Sequence, residues 1–348
     1  MHSEWDDFLR NRTAATTADP SESSHWICPL PDTGVLAIGG KDSGRFLQGQ
    51  TTCDILGLET GQTTLGALCN PKGRVIAVFR AFKSEDLIYL LLPRELTAAV
   101  EKRLRMYVLR ADVKIENVSG EWLAFGIGGE KLVSPLDRLG ITAPASINGV
   151  SCQPNCFAIH IPSNSAGRML LVAGHEKAKA LWVALEEKAH LVYTDPARWR
   201  LEDIRAGIPR IGQAMSEEFL PQMLNLDLLD GISFSKGCYT GQEIVARTHY
   251  LGSLKRRMYR LEIRSDEAPQ AGELIFEAGR DEQSAGVALD SAPTAAACHE
   301  ILAVLNITQA ENGDLRLHGS HGLRLSLLSL PYSTTPTHRE HRENGPQE

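Results

Sequence analysis

The apolar pattern changes character at about residue 251, and that break constrains the fold more than any other feature of the chain. Beyond it, Met258 to Ile263, Leu274 to Phe276, Ala285 to Leu289, Ile301 to Leu305 and Leu315 to Leu328 read as strands separated by Gly, Asp, Pro or Asn, with no helical stripe between them. Closely spaced short strands with turn residues between them predict a small all-β barrel or sandwich, folded as a separate C-terminal domain. Before the break, strands at Val35 to Ile38, Val75 to Phe82, Leu87 to Leu92, Val113 to Ile115, Trp122 to Ile127, Phe157 to Ile161 and Met169 to Ala173 are interspersed with helices. One helix opens at Pro93 with Leu96, Val100, Leu104 and Tyr107 on one face; a second stripe holds Ala178, Leu181, Leu185, Ala189 and Val192. Strands mixed with helices in both halves of this region predict α+β layers.

A chain of 348 residues has room for about two or three domains and a core that needs no covalent staple. Its longest aliphatic or aromatic run is Leu87 to Leu92, far short of the roughly 20 apolar residues that span a bilayer, so no membrane segment is expected. The first residues are acidic and lack the basic start and apolar stretch of a secretion signal. The seven cysteines, at 28, 53, 69, 152, 156, 238 and 298, are odd in number and sparse, which predicts reduced thiols and a cytoplasmic protein. A formal net charge of -7 repels nucleic acid on average, so direct tRNA binding is not expected. Residues 1–26 and 333–348 are too polar to enter a core and read as mobile tails. Between them the expected division is an α+β region over 27–250 and the barrel over 251–332.

The segment Lys236-Gly-Cys-Tyr-Thr-Gly-Gln-Glu-Ile-Val-Ala-Arg247 carries the strongest chemical signal. Gly237 and Gly241 bracket Cys238, a spacing that suits a turn presenting the thiol at a surface or ligand. A cation beside a cysteine favours thiolate, and Lys236 or Arg247 can play that part. The same spacing fits a buried, inert cysteine at the start of a strand, and spacing alone leaves both open. Trp199-Arg-Leu-Glu-Asp-Ile-Arg-Ala-Gly-Ile-Pro209 joins a large aromatic to several arginines. That is the equipment for an anionic planar heterocycle, the indole for its ring and the cations for its carboxylates; it equally describes a core tryptophan on an amphipathic helix.

Other motifs read as structural. Gly40 to Gln50 looks like a helix start capped by Asp42 or Ser43, without the Gly-Lys-Ser/Thr ending of a phosphate loop. Gly126-Ile-Gly-Gly129 lacks the third glycine of a dinucleotide fingerprint. Cys152 and Cys156 have no second pair at zinc spacing, and the histidine pairs 318/321 and 338/341 stand alone, so no permanent metal is expected. Lys255, Arg256, Arg257 and Arg260 form the clearest basic cluster, read as a solvated face.

Lys236-Gly-Cys-Tyr-Thr-Gly-Gln-Glu243 closely resembles the signature of the YgfZ family, folate-binding proteins related to the aminomethyltransferase (T-protein) of the glycine cleavage system. The resemblance extends to Asp42 to Asp54 with its Phe-Leu-Gln-Gly-Gln core, Leu68-Cys-Asn-Pro-Lys-Gly-Arg74, Trp199 to Pro209, Pro221 to Phe234 and the closing Leu-Pro-Tyr-Ser333. It implies an aminomethyltransferase-like folate-binding α+β fold of two ferredoxin-like parts plus a C-terminal β-barrel, around a central cavity. It also implies tetrahydrofolate as bound ligand, and a role in the assembly or repair of iron-sulfur enzymes, with those enzymes or assembly factors as partners. Through them the protein would support the methylthiolation of tRNA, as a monomer without membrane contact.

Carried over by position, the folate-contacting tryptophan of the family matches Trp199 and the signature cysteine matches Cys238, a reactive thiol with Lys236 beside it. Tyr239, Gln242, Glu243 and Arg247 match the rest of the motif, and the resemblance implies that these four bind the folate together with Trp199 and Arg205. A second folate-contacting tryptophan of some members has Thr33 or Gly34 in its place. T-proteins follow a Gly-Gly pair with a catalytic aspartate, whereas Lys72-Gly-Arg-Val-Ile-Ala-Val78 holds no carboxylate; they place a pterin-binding glutamate where this chain has Arg205. Without that charge an aminomethyl transfer loses its electrostatic and proton-handling centre. A binding or accessory protein is therefore the first reading and a folate-dependent one-carbon transferase the second. A structural adaptor that recruits an RNA-modifying enzyme through Lys255 and Arg256 is the third.

Overall fold

The computed structural model describes residues 3–13, 25–164, 167–252, 254–280 and 282–334. Helix α1 (Ser3–Thr13) precedes strand β1 (Trp26–Pro29), after which the chain leaves that sheet to build another. There β2 (Thr33–Gly39), α2 (Ser43–Gln48), β3 (Thr63–Cys69), β4 (Val75–Ser84), β5 (Leu87–Pro93), α3 (Thr97–Val108) and β6 (Lys114–Asn117) give a five-stranded sheet ordered β3-β4-β5-β2-β6. The chain returns through β7 (Trp122–Gly128), α4 (Val133–Arg138), β8 (Val150–Gln153), β9 (Cys156–Ile161), β10 (Arg168–Gly174), α5 (His175–Ala189) and β11 (Val192–Tyr193). These complete a six-stranded sheet ordered β11-β1-β7-β10-β9-β8. Helices α6 (Pro196–Ala206) and α7 (Gln242–Tyr250) then lead to β12 (Arg256–Arg264), β13 (Leu274–Glu277), β14 (Gly286–Ala295), β15 (Cys298–Asn306), α8 (Ile307–Asn312), β16 (Leu315–Leu317) and β17 (Leu323–Leu328). The last six strands close as a barrel, β12-β15-β14-β13-β16-β17.

The two sheets face each other, and the period-2 alternation of their strands shows why. In β5, Ile88, Leu90 and Leu92 join one core with Val100 and Leu104 of α3, whereas Tyr89 and Leu91 join another with Cys28, Ala124, Phe157, Leu170 and Trp199. In β7, Leu123, Phe125 and Ile127 pack on Leu181, Trp182 and Leu185 of α5, while Ala124 points into the layer between the sheets. A strand buried on both faces reads as a continuous apolar run, as Leu87 to Leu92 does. The result is helices, sheet, sheet and helices, with the barrel attached beyond, so the expected α+β architecture with a C-terminal barrel is the one found.

Several elements depart from the sequence expectation. Residues 3–13 were expected in a mobile tail, yet α1 docks on the second sheet. Trp5, only 3% exposed, stacks on Phe8 at 5.1 Å and meets Trp182 edge-on at 5.6 Å. Trp5, Phe8 and Leu9 share one helical face, a stripe too short to stand out among polar neighbours. Trp26, at the end of the expected N-terminal tail, is also buried, as the first residue of β1; residues 1–2, 14–24 and 335–348 of the expected tails lie outside the described residues. Within the barrel region α8 interrupts what was expected to be all strand; the Asn306 side chain caps it by accepting from the Thr308 N–H at 3.1 Å. The Leu315 to Leu328 run is two strands, split by a turn with Gly319 at φ +108. His190, left-handed at φ +56, ends α5 and sends Val192 into β11 instead of the helix stripe. Strands β1, β3 and β8 carried no expectation.

Candidate functional site

Helix α6 is held at both ends. Asp195 caps it by accepting from the Ala197 N–H at 2.8 Å, Pro196 occupies the first turn, and Gly207 closes it in the left-handed region at φ +65. This sets Trp199 against β7, where Gly126 makes the space: a Cβ there would lie 2.2 Å from Cε3 of the indole. The indole is 8% exposed, with the Arg168 guanidinium 4.6 Å from its ring centre and Trp26 edge-on at 6.3 Å. Arg168 is in turn ion-paired with Asp203 at 2.8 Å.

Next to Trp199 a cavity of about 170 Å³ opens between the sheets. Leu65, Val78, Phe79, Leu91, Ile161 and Leu170 give it apolar walls; Asp32, Arg200, Asp203 and Arg210 bring charge to it. Arg200 and Arg210 approach Asp32 only loosely, at 3.7 and 3.8 Å, and Arg200 also reaches Asp290 of the barrel at 3.6 Å. Burial pushes the Asp290 carboxyl up to about 6 even though Arg200 and Arg210 favour its charge. Arg80 of β4 also lines the wall; it is 7% exposed, and its Nη1 donates to Thr63 Oγ1 at 2.8 Å and Asn148 Oδ1 at 2.7 Å. No carboxylate among the described residues lies within ion-pair distance of it.

The signature segment occupies a different place. Lys236 donates through Nζ to the carbonyls of Thr51 and Cys53, the latter at 2.7 Å, and its ammonium sits 5.0 Å from the centre of the Tyr239 ring. Burial draws the Lys236 ammonium down to about 8 despite the nearby Cys53 and Asp54. Thr240 N–H donates to Gly49 O at 3.3 Å, and Gly241, at φ +84, backs onto the turn between β3 and β4: a Cβ on it would lie 2.6 Å from Asn70 O and 2.8 Å from Gly73 Cα. That turn is formed by the Asn70 side chain, whose Oδ1 accepts from the N–H groups of Lys72 and Arg74 at 2.9 and 3.0 Å. Gln48 secures the third segment by donating to Asp54 Oδ1 and accepting from the Ile55 N–H, each at 2.8 Å. Three motifs far apart in sequence thus meet on one surface, with Cys238 exposed on it.

The site residues read from sequence therefore fall into separate places. Trp199 lines the cavity; none of Lys236, Cys238, Tyr239, Gln242, Glu243 and Arg247 does. The two places are joined by the β3–β4 hairpin, whose Leu65 and Arg80 pair in the cavity wall while its turn carries Gly73. Asn70, just past the end of β3, is five residue steps from Leu65, about 17 Å at the usual rise. Cys238 is exposed, which removes the reading of it as a buried inert thiol. Gln242 opens α7, its Oε1 accepting from the Tyr239 N–H at 3.2 Å; Glu243 and Arg247 are exposed on that helix. Tyr239 is buried, its hydroxyl has no hydrogen-bond partner among the described residues, and burial pushes its phenol well up. Arg205 lines no part of the cavity; it donates to Glu300 of the barrel at 3.0 Å, alongside Arg260 at 2.6 Å.

The basic cluster is not one solvated face. Arg257 is buried against Asp227 through two bonds of 2.9 and 2.8 Å and Arg260 is taken by Glu300, so only Lys255 and Arg256 keep the expected character. Cys152 is exposed and Cys156 buried on the β8–β9 hairpin, and His318 pairs with Glu273; His338 and His341 lie outside the described residues. Sequence reasoning passed over Arg80, Arg168 and Arg210, whereas Arg200 belongs to the Trp199 segment whose arginines were expected to serve carboxylates. Arg80 did leave a signal, a lone cation in the otherwise apolar run Val75 to Phe82, since arginine is rarely buried without a task.

No protein-family model matches the chain. The tRNA-modifying protein YgfZ of Yersinia pestis (strain Pestoides F) is 33% identical over 308 residues, covering 88% of this chain and 92% of that protein. The tRNA-modifying protein YgfZ of Serratia proteamaculans (strain 568) is 33% identical over 318 residues, covering 90% and 95%. Among solved structures, the glycine cleavage system aminomethyltransferase T from Bartonella henselae superimposes with a TM-score of 0.74 over 89% of this chain and 86% of its own, at 15% identity, a likeness of fold alone.

Proposed function

Since the chain belongs to the YgfZ family of tRNA-modifying proteins, we propose that it is a folate-binding accessory protein that supports the assembly or repair of iron-sulfur enzymes and, through them, the methylthiolation of tRNA. The observation that carries this reading is the cavity beside Trp199, whose largely apolar walls hold the buried guanidinium of Arg80 and whose charged residues are Asp32, Arg200, Asp203 and Arg210. At about 170 Å³ it is smaller than the roughly 300 Å³ at which small-molecule pockets usually begin. Such a space suits the bicyclic head of a folate, and the rest of the molecule would run out past Arg200, Arg210 and Asp32.

The residues present fit reduced folate. The aliphatic wall and Trp199 exclude water and cover the ring, Arg80 supplies donors to it, and Arg200 and Arg210, bound to Asp32 only at 3.7 and 3.8 Å, are able to turn to carboxylates. When bound, the folate would supply reduced one-carbon or redox chemistry. The Cys238 surface is the second working part of the proposal: Lys236 anchors the loop by its carbonyl bonds, and the exposed thiol is the reactive group offered to a client.

The test is calorimetric titration of tetrahydrofolate into the reduced wild-type protein and into Trp199→Ala, with circular dichroism to confirm folding and analysis of the folate recovered. Saturable binding that the substitution weakens, with the folate unaltered, supports the accessory reading. Chemical turnover of a folate adduct would replace it by the one-carbon transferase. Absence of binding by the wild type would remove folate from the account. Separately, Cys238→Ser should fail to restore cluster-dependent enzymes in cells lacking this gene; full restoration would remove the thiol from the mechanism.

A further inference from the structure

Arg80 is a buried cation with no carboxylate partner among the described residues, set in the wall of a largely apolar cavity. Desolvating a guanidinium costs several kcal/mol unless acceptors or a counter-charge meet it. The protein meets only part of that need, because both hydrogen bonds to Arg80 come from Nη1. Nε and Nη2 have no acceptor among the described residues and are not sealed from solvent.

The guanidinium is held in place for this. Thr63 and Asn148, its two acceptors, are themselves tied together, the Thr63 N–H donating to Asn148 O at 2.7 Å. The Asn148 N–H donates to His160 O at 2.8 Å, so the clamp joins the β3 edge of one sheet to β9 of the other. Burial, together with nearby Arg168, draws Arg80 down to about 10 although Asp203 opposes it, which leaves it charged at neutral pH. A fixed donor-only group in an apolar wall selects an acceptor and rejects a donor. The cations suited to a carboxylate tail are others: Arg200 and Arg210 are about a third exposed and stand beside the exposed Asp32.

We propose that Arg80 reads the oxygen on the ring of the bound ligand, so that the cavity takes an oxo-pterin and discriminates against the matching 4-amino compound. The inference rests on the folate reading above. In the amino analogue the acceptor is replaced by a donor facing a cation, and ring protonation adds a like charge. Loss of one charge-assisted bond of about 1.5–3 kcal/mol corresponds to roughly 10- to 100-fold in affinity.

The experiment titrates the full-length protein with tetrahydrofolate, tetrahydropteroate, which lacks the glutamate tail, and 4-amino-4-deoxytetrahydrofolate. It uses the wild type, Arg80→Met and Asn148→Gly; the glycine removes one acceptor while tolerating φ +62. The wild type should prefer both oxo compounds to the amino compound by at least about 10-fold. Arg80→Met should abolish the preference and Asn148→Gly should reduce it, a change of ratio that a loss of stability alone does not produce. An unchanged ratio in Arg80→Met overturns the inference, as does equal binding of oxo and amino compounds by the wild type. A loss of tetrahydrofolate affinity that spares tetrahydropteroate also overturns it, because Arg80 would then serve the tail. Should Arg80→Met not fold, an unchanged ratio in Asn148→Gly decides against it. If the wild type binds none of the three, this inference and the folate reading fall together; each of the other overturning outcomes sinks the inference alone.

Discussion

Gly73 and Gly241 meet backbone against backbone: a Cβ on Gly241 would stand 2.8 Å from the Cα of Gly73, and one on Gly73 would stand 3.2 Å from the carbonyl oxygen of Gly241. Both are left-handed, at φ +71 and +84. The contact docks the loop that carries Cys238 onto the β3–β4 turn, so the position of an exposed thiol depends on two absent side chains.

Gly241→Ala should therefore unfold more readily than the wild type. A left-handed alanine costs about 1 kcal/mol and the clash with Asn70 O, at 2.6 Å, adds overpacking of about 1–3 kcal/mol. Gly237→Ala is the control, because its Cβ would meet nothing within 4 Å; it should stay within about 0.5 kcal/mol of wild type in urea unfolding. Equal effects of the two would contradict the docking.

Gly126→Ala should act on the cavity through Trp199, since the new methyl would lie 2.2 Å from the indole. The expected cost is about 1–3 kcal/mol of stability together with a shift of tryptophan fluorescence. Tetrahydrofolate affinity should fall by at least about 10-fold if the indole wall is part of the site. A folded variant with unchanged fluorescence would mean that the indole does not need the glycine.

Asp290 predicts a pH signature. Its folded value of about 6 exceeds the ordinary 3.8, so the folded state holds its proton more tightly than the unfolded chain. The stabilisation is complete below pH about 4 and is lost as the pH rises through about 6. Asp290→Asn carries no such change, and its stability relative to wild type should rise across that window by up to about 3 kcal/mol. A flat difference between pH 3.5 and 7 would show that Asp290 ionises without penalty.

Thiol labelling under native conditions should separate the cysteines. Cys238 and Cys152 are exposed and should react first; Cys298 is half-buried and should follow. Cys28, Cys53, Cys69 and Cys156 are buried, and burial pushes all four thiols up, Cys53 and Cys156 to about 11 and Cys69 to about 12. They should react only on unfolding. Mass spectrometry of the labelled peptides decides it, and early labelling of Cys53 would mean that the segment held by Lys236 opens readily.

Local pattern alone determined the elements whose neighbours in sequence suffice to define them. The run Leu87 to Leu92, the stripe Leu96-Val100-Leu104 and the barrel strands were legible because burial repeats every second residue in a strand and every third or fourth in a helix. The motif at Lys236 to Glu243 likewise announced the family without any fold. Tertiary structure decided what those elements meet. Arg80 enters the cavity because β4 pairs it with Leu65 of β3 and Leu91 of β5. Arg205 is committed to Glu300 because α6 packs on the barrel, and Arg257 is drawn inside by Asp227. Helix α1, too polar to claim a core position by its own pattern, gains one from Trp182. Each of these depends on the pairing of segments distant in the chain, and hydrophobic periodicity, which reports one segment at a time, contains no register between them.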